Sequence, residues 1–169
     1  MKSQAINQLI NFSWTIVSFI PVIYFWIGRD TTWLYAFVLV SLVFALMPAR
    51  FISMFQLSGN KRFYERLGVR FIQRFVQNGT YINKSIRKND SGYKLIKDRA
   101  QAQQYLNTIQ MYERYHLMCF IFFGLTLIYA VIERQYIVAL IILLANVIYN
   151  VCPVLLQQYN RLRVIGILR

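Results

Sequence analysis

The chain of 169 residues is strongly hydrophobic and strongly basic: 57% of its residues are hydrophobic, and 19 Lys and Arg against 6 Asp and Glu give a formal net charge of +13. This length favours a single domain, residues 1–169, and the low content of 7 Gly and 3 Pro argues against a disordered chain. Long apolar runs combined with a large basic excess exclude an ordinary soluble domain. They predict an all-α integral membrane protein whose basic parts face one side of the bilayer.

Four stretches without Asp, Glu, Lys or Arg predict four transmembrane helices, arranged as two hairpins. They cover residues 6–27, 31–47, 115–132 and 136–156. A spanning helix needs about 20 residues, with a range of about 17–25. The first and last stretches are therefore long enough to span, and the middle two are short but acceptable. The separators Gly28-Arg29-Asp30 and Glu133-Arg134-Gln135 are tight. We expect the first helix to be retained, because no small-residue cleavage site of a signal peptide follows it.

The basic residues are distributed unevenly over the predicted loops. All of the 19 Lys and Arg except Arg29 and Arg134 lie in the N-terminus, in the segment 48–114 or in the C-terminal tail. Four spans place these three regions on the same side, which the positive-inside rule makes cytoplasmic. We therefore expect a multi-pass protein of the cytoplasmic membrane with both termini in the cytoplasm. Nucleic acid is a poor candidate partner, since there is no recognition module and topology already explains the charge.

The segment 48–114 contains a repeated pattern of basic and apolar residues. Arginines recur every four residues, and each is followed by an apolar side chain (Arg62, Arg66, Arg70 and Arg74; Phe63, Leu67, Phe71 and Phe75). The spacing predicts a cytoplasmic basic amphipathic helix over residues 61–77, capped by Asn60 or Ser58. It suits a helix in the bilayer interface that binds anionic lipid headgroups, or a docking surface for a phosphate-bearing acyl donor. From about Ile96, helical spacing predicts a long helix that continues into the third span.

The polar residues near the inner membrane boundary are the best candidates for chemistry. His116, the sole His, follows Glu113 by three residues, so both share a helix face. A carboxylate can orient an imidazole that then accepts a proton from an attacking alcohol; the simpler alternative is a His at the headgroup level. Asn146 and Asn150 share a face of the fourth span and should point into the bundle. Pro153 is expected to break the last turn of that span.

Other classes of site are disfavoured by composition. With one His and two distant Cys, the chain lacks the ligands of a structural zinc site, so no metal is expected. The spans carry no ionisable side chain apart from His116 at the mouth of the third, which disfavours a proton-coupled transporter.

Three blocks of sequence stand out together. The first is Phe63-Tyr-Glu65-Arg-Leu-Gly68-Val69, the second is Glu113-x-x-His116, and the third runs from Asn150 and Pro153 through Gln157-Gln-Tyr159-Asn160-Arg161-Leu-Arg163. In this order they resemble the glycosyl-4,4'-diaponeurosporenoate acyltransferase family. Members of this family are small integral membrane proteins that attach a fatty acyl chain to the sugar of a carotenoid glycoside.

The resemblance implies a membrane acyltransferase without a bound cofactor. Its substrates would be acyl-CoA or a similar acyl donor and a lipid-soluble acceptor with a hydroxyl group, and it would work in contact with the lipid bilayer. His116 would be the general base and Glu113 its orienting partner. The expected substrate-binding residues are Asn150, Gln157, Tyr159, Asn160, Arg161, Arg163 and Glu65. The alternative is a non-catalytic four-helix scaffold or accessory subunit in which the polar cluster only packs.

Overall fold

The computed structural model describes residues 2–76, 96 and 98–168, with the side chains of residues 2–7 and 49 left aside. Within these residues the fold is all-helical, as predicted. The elements are α1 (Lys2–Trp26), α2 (Thr31–Ala45), α3 (Ala49–Met54), α4 (Lys61–Arg66), α5 (Val69–Ile72), α6 (Arg99–Ile132), α7 (Tyr136–Asn146), a π-helical turn (Val147–Val151) and α8 (Cys152–Leu168). The middle of the predicted cytoplasmic segment, residues 77–95 and 97, lies outside the described residues.

Tight turns lie at both predicted separators, and local capping explains them. Gly28 adopts a left-handed φ of 73°, which glycine accepts without strain, and the Asp30 side chain caps α2 by accepting from the Thr32 amide at 2.9 Å. In the second turn Arg134 adopts a φ of 58°, and the Gln135 amide donates to the Ala130 carbonyl at 2.8 Å. The charged separators thus end one helix and begin the next within a few residues.

Among the described residues, three helical stretches are long and apolar enough to cross a membrane. They are Gln8–Trp26 within α1, the 34 residues of α6, and the 33 residues from Tyr136 to Leu168. The second predicted span is shorter, because α2 has only 15 residues and reaches roughly 22 Å at 1.5 Å per residue, against a hydrocarbon core of about 30 Å. The described part of the chain therefore has three candidate membrane spans, and α2 is too short to count as a fourth by length alone.

The amphipathic segment differs from the single helix predicted over residues 61–77. Asn60 caps its start as expected, accepting from the Arg62 amide at 3.0 Å, but α4 ends at Arg66. Gly68 then takes a left-handed φ of 79°, so α5 starts in a new direction. The reason is packing, because Tyr64 and Val69 are both fully buried against α8. The break allows Tyr64 of α4 and Val69 of α5 to contact α8 together. The predicted Phe and Leu stripe remains exposed.

The last helical stretch also differs from the prediction at Pro153. The helix does not end there but continues through α8 to Leu168, so that the polar run after Leu156 is helical. A π-helical turn precedes the proline, and the Cys152 amide donates to the Val147 carbonyl, five residues back. Widening the helix by one residue absorbs the missing N–H of Pro153, which cannot donate to the Tyr149 carbonyl.

The long helix α6 lies at the centre and packs against α2, α7 and α8. One buried cluster, around Phe123, Trp26 and Ile142, joins α6 to α1 and α7. Two smaller clusters, around Tyr64 and around Ile109, join α8 to the α4–α5 segment and to the start of α6. This arrangement leaves a gap among α1, α5, α6 and α8, and that gap forms the cavity of the candidate site.

Candidate functional site

A cavity of about 1210 Å³ lies among α1, the α4–α5 segment, α6 and α8. Its wall on α6 extends from Tyr105 to His116, roughly 16 Å along the helix at 1.5 Å per residue. Most of the lining is apolar and aromatic, including Trp14, whose indole N–H donates to the Phe75 carbonyl at 3.3 Å. A cavity of this size and character fits an alkyl chain with a few polar groups.

Three of the site residues predicted from sequence line this cavity. They are His116 on α6 and Gln157 and Asn160 on α8, all half-buried. Gln157 and Asn160 are three residues apart, so one face of α8 presents two amides to the cavity. The continuation of α8 beyond Pro153 is what places them there.

The hydrogen-bond partner of His116 is Asn150 rather than Glu113. The His116 Nδ1 atom lies 3.5 Å from the Asn150 Oδ1 atom. Asn150 is fully buried, is not among the cavity-lining residues and donates through Nδ2 to the Asn146 Oδ1 atom at 2.8 Å. The ring also interacts with the backbone of Tyr149. The imidazole is therefore held from behind by α7–α8 and opens toward the cavity.

Glu113 and Arg161 form a buried ion pair that joins α6 to α8. The Arg161 Nη1 atom donates to Glu113 Oε2 at 2.9 Å, and the side chains are 9% and 2% exposed. Arg161 also donates to the Gln56 side chain, while the second Glu113 oxygen has no hydrogen-bond partner within the described part of the chain. Neither charge lines the cavity, so this pair contributes to the site by holding the two helices that do.

Behind the cavity, a network of neutral groups fastens the segment between α3 and α4 to α8. The Tyr64 hydroxyl lies 3.0 Å from Gln158 Oε1 and accepts from the Gln56 side-chain amide at 2.6 Å and from the Ser58 amide at 3.0 Å. Gln158 in turn donates to the Phe55 carbonyl at 2.9 Å. Sequence analysis did not identify Tyr64, Gln56 or Gln158 as important, because nothing in helical spacing shows that residues about 100 positions apart meet.

A third face of α8 carries Arg163 and Tyr159, and Tyr159 contacts Glu65. The Tyr159 hydroxyl donates to Glu65 Oε1 at 3.1 Å, and Arg70 donates to the same oxygen at 2.9 Å. The hydrogen bond from Arg70 holds the pKa of the Glu65 carboxyl below its usual value. The Arg163 guanidinium lies 5.7 Å from the centre of the Tyr159 ring. This cluster connects the first and third sequence blocks at the exposed edge of the molecule, away from His116.

Hydroxyl groups that sequence analysis missed form a chain beside His116. The Tyr115 and Tyr149 hydroxyl oxygens are 2.8 Å apart, and the Tyr149 hydroxyl lies 2.8 Å from Thr15 Oγ1. The Thr15 hydroxyl donates to the Asn11 carbonyl at 2.8 Å. Since that carbonyl only accepts, each hydroxyl donates toward α1, and the Tyr115 oxygen keeps its acceptor capacity. All three side chains line the cavity.

Comparison with known proteins relates this chain to a protein family. The model of the glycosyl-4,4'-diaponeurosporenoate acyltransferase family (CrtO) matches residues 48–169, about seven tenths of the chain. The chain belongs to this family. Searches of curated proteins and of solved structures each found no significant match.

The resemblance noted from the three sequence blocks is therefore confirmed, and family membership supports an acyltransferase role in general. The matched region contains His116, both cavity amides and the Glu113–Arg161 pair. The part of α1 that completes the cavity, Asn11 to Thr15, precedes the matched region.

Proposed function

We propose that this chain transfers a fatty acyl group from acyl-CoA or a similar donor to a hydroxyl group of a lipid-soluble acceptor. The observation that carries the proposal is the large, mainly apolar cavity of a member of an acyltransferase family, with the sole histidine in its wall. An acyl chain requires such an apolar space, and acyl transfer to an alcohol requires a proton acceptor within it.

The chemistry assigned to His116 is general base catalysis. As the acceptor alcohol attacks the thioester carbonyl, a carbon–oxygen bond forms and the imidazole takes the hydroxyl proton. The carbon–sulfur bond then breaks, and the imidazolium returns the proton to the departing thiolate. The side-chain amides of Gln157 and Asn160 face the same cavity and supply N–H donors for the carbonyl oxygen as it gains charge.

The donor is proposed to approach from the basic side of the molecule. Arg62 and Arg66 on α4 and Arg163 on α8 are exposed, α4 packs against α8, and guanidinium groups match phosphate geometry. The exposed Phe63, Leu67 and Phe71 suit insertion into the headgroup region of an anionic leaflet. In this proposal Glu65 and Tyr159 orient the exposed arginines, while Glu113 and Arg161 set the distance between α6 and α8.

The membrane arrangement in this proposal keeps four spans, with α2 as a short fourth span that packs along α6. In this arrangement, which the positive-inside distribution supports, we propose that both termini and the cavity amides lie at the cytoplasmic leaflet of the cell membrane. The family description names a glycosylated carotenoid acid. We accordingly propose an amphipathic lipid glycoside as the acceptor, entering the cavity sideways from the bilayer.

Comparative lipidomics of cells with and without the gene tests this function without a prior choice of substrate. We expect acylated lipids that are absent from the deletion strain to return with the wild-type gene. His116→Ala should lower that product by about 100-fold or more, the usual range for loss of a general base. The matched control is Met111→Leu, a cavity-lining change that conserves volume and should keep the product.

Two outcomes would overturn the proposal. Full acylated product from His116→Ala, at equal membrane abundance, would remove the general base from the mechanism. Identical lipid profiles with and without the gene, together with retention of a partner protein in mild detergent, would favour the non-catalytic scaffold.

A further inference from the structure

Two buried asparagines form a directed hydrogen-bond relay that ends on His116. Asn146 and Asn150 are 3% and 0% exposed and lie at either end of one turn of the widened helix. The Asn146 Nδ2 atom donates to the Phe120 carbonyl at 3.2 Å, and the Asn150 Nδ2 atom donates to Asn146 Oδ1 at 2.8 Å. The relay therefore starts on the backbone of α6 and returns to α6 at the imidazole.

The direction of this relay is fixed by the carbonyl at its start. A backbone carbonyl only accepts, so the Asn146 atom that faces Phe120 must be the amide nitrogen. The Asn146 side-chain oxygen then faces Asn150, which must donate to it through its own amide nitrogen. The atom that Asn150 has left for His116 is Oδ1, as the 3.5 Å contact to Nδ1 shows. An amide oxygen cannot donate, so a hydrogen bond at this contact requires the proton on Nδ1.

We propose that Asn146 and Asn150 are positioning residues that hold His116 in the Nδ1–H tautomer, leaving the Nε2 lone pair for the acceptor alcohol. Neutral imidazole in water favours the opposite tautomer, with the proton on Nε2, which could not act as the base at that atom. The catalytic meaning of this assignment rests on the proposed function, but the tautomer itself does not.

Amides suit this task in the bilayer better than a carboxylate. A carboxylate behind the imidazole would place another charge in the apolar bundle, where charge is costly, and the nearby acid, Glu113, is already paired with Arg161. A relay of two amides anchored on a carbonyl orients the imidazole without adding charge. The π-helical turn from Val147 to Val151 brings the relay into line, and such turns occur often at functional sites.

The single histidine of the chain makes the tautomer directly measurable. Protein labelled with ¹⁵N-histidine, in lipid nanodiscs at about pH 8.5, two units above the ordinary pKa of histidine, should give the signals of His116 alone. Couplings to the ring protons distinguish the nitrogens. We expect a protonated Nδ1 and a bare Nε2 in the wild type, and a return to Nε2–H in Asn150→Leu.

Two further variants separate the relay from mere packing. Asn146→Leu does not alter the residue that contacts His116, yet it removes the anchor that orients Asn150, so it should shift the tautomer population toward Nε2–H. Asn150→Asp keeps an oxygen acceptor and should retain Nδ1–H. In the acyl-transfer assay, Asn146→Leu should lower kcat on the order of 10-fold to 100-fold with KM unchanged, since loss of orientation affects the chemical step.

The result that overturns the proposal is a wild-type ring protonated on Nε2 or on both nitrogens, or an Nδ1–H ring in Asn146→Leu and Asn150→Leu alike. The wild-type spectrum decides even where a variant fails to fold. An Nδ1–H ring with full product from His116→Ala would refute the proposed base and leave the relay. An Nε2–H ring with product lost from His116→Ala would refute the relay alone.

Discussion

The buried pair of Glu113 and Arg161 makes a quantitative prediction about stability. Arg161→Met removes one charge and leaves the Glu113 carboxylate, whose side chain is 2% exposed, without its partner. Breaking a buried ion pair in this way costs about 3–5 kcal/mol of the free energy of unfolding. At about 2–4 °C per kcal/mol for a chain of this size, the midpoint temperature should fall by roughly 6–20 °C.

The double variant Glu113→Gln with Arg161→Met distinguishes the loss of one charge from the loss of both. It removes both charges, so most of the lost stability should return, because replacing a buried pair with neutral groups is often close to neutral. The assay is the midpoint temperature for loss of the monodisperse peak in size-exclusion chromatography, measured for both single variants and for the double variant. Equal midpoints for wild type and Arg161→Met would refute the argument that this pair holds α6 against α8.

The same double variant also tests whether these charges take part in the chemistry. Neither side chain lines the cavity, so a folded double variant should keep acyl-transfer activity within about 10-fold of the wild type, the loss expected from a small displacement of the site. A stable but inactive double variant would instead support the direct roles for Glu113 and Arg161 that the family motif suggested.

Two other predictions concern the groups around the cavity. Tyr64→Phe leaves the Gln56 and Ser58 donors without their shared acceptor, so it should lower the free energy of unfolding by about 1–3 kcal/mol. The control Tyr35→Phe, on a side chain that is 63% exposed, should leave the midpoint temperature unchanged. Equal effects of the two substitutions would contradict the buried network. Cys152 lines the cavity while Cys119 is buried, so a maleimide should inactivate the wild type by modifying Cys152. Bound acyl-CoA should protect the wild type from the maleimide, and Cys152→Ala should be active and resistant to it. Inactivity of Cys152→Ala itself would show that the thiol takes part in the reaction.

Several local features follow from the sequence alone. Charge-free runs bounded by Gly28-Arg29-Asp30 and Glu133-Arg134-Gln135 predicted both tight turns, because charged residues are costly inside a membrane span and glycine and aspartate favour the end of one helix and the cap of the next. Uninterrupted spacing predicted the continuation of α6 into the membrane. Helical periodicity also placed Asn146 with Asn150 on a common face.

Contacts between distant segments were decided only by the tertiary structure. Periodicity fixes the face of a helix on which a side chain lies, but it does not fix how far that helix is rotated or shifted against another one. Spacing in the sequence therefore suggested that Glu113 interacts with His116. In the folded chain Glu113 pairs with Arg161 instead, and the His116 imidazole contacts Asn150. The break at Gly68 and the cavity arise for the same reason, because both depend on which surfaces of α8 the rest of the chain covers.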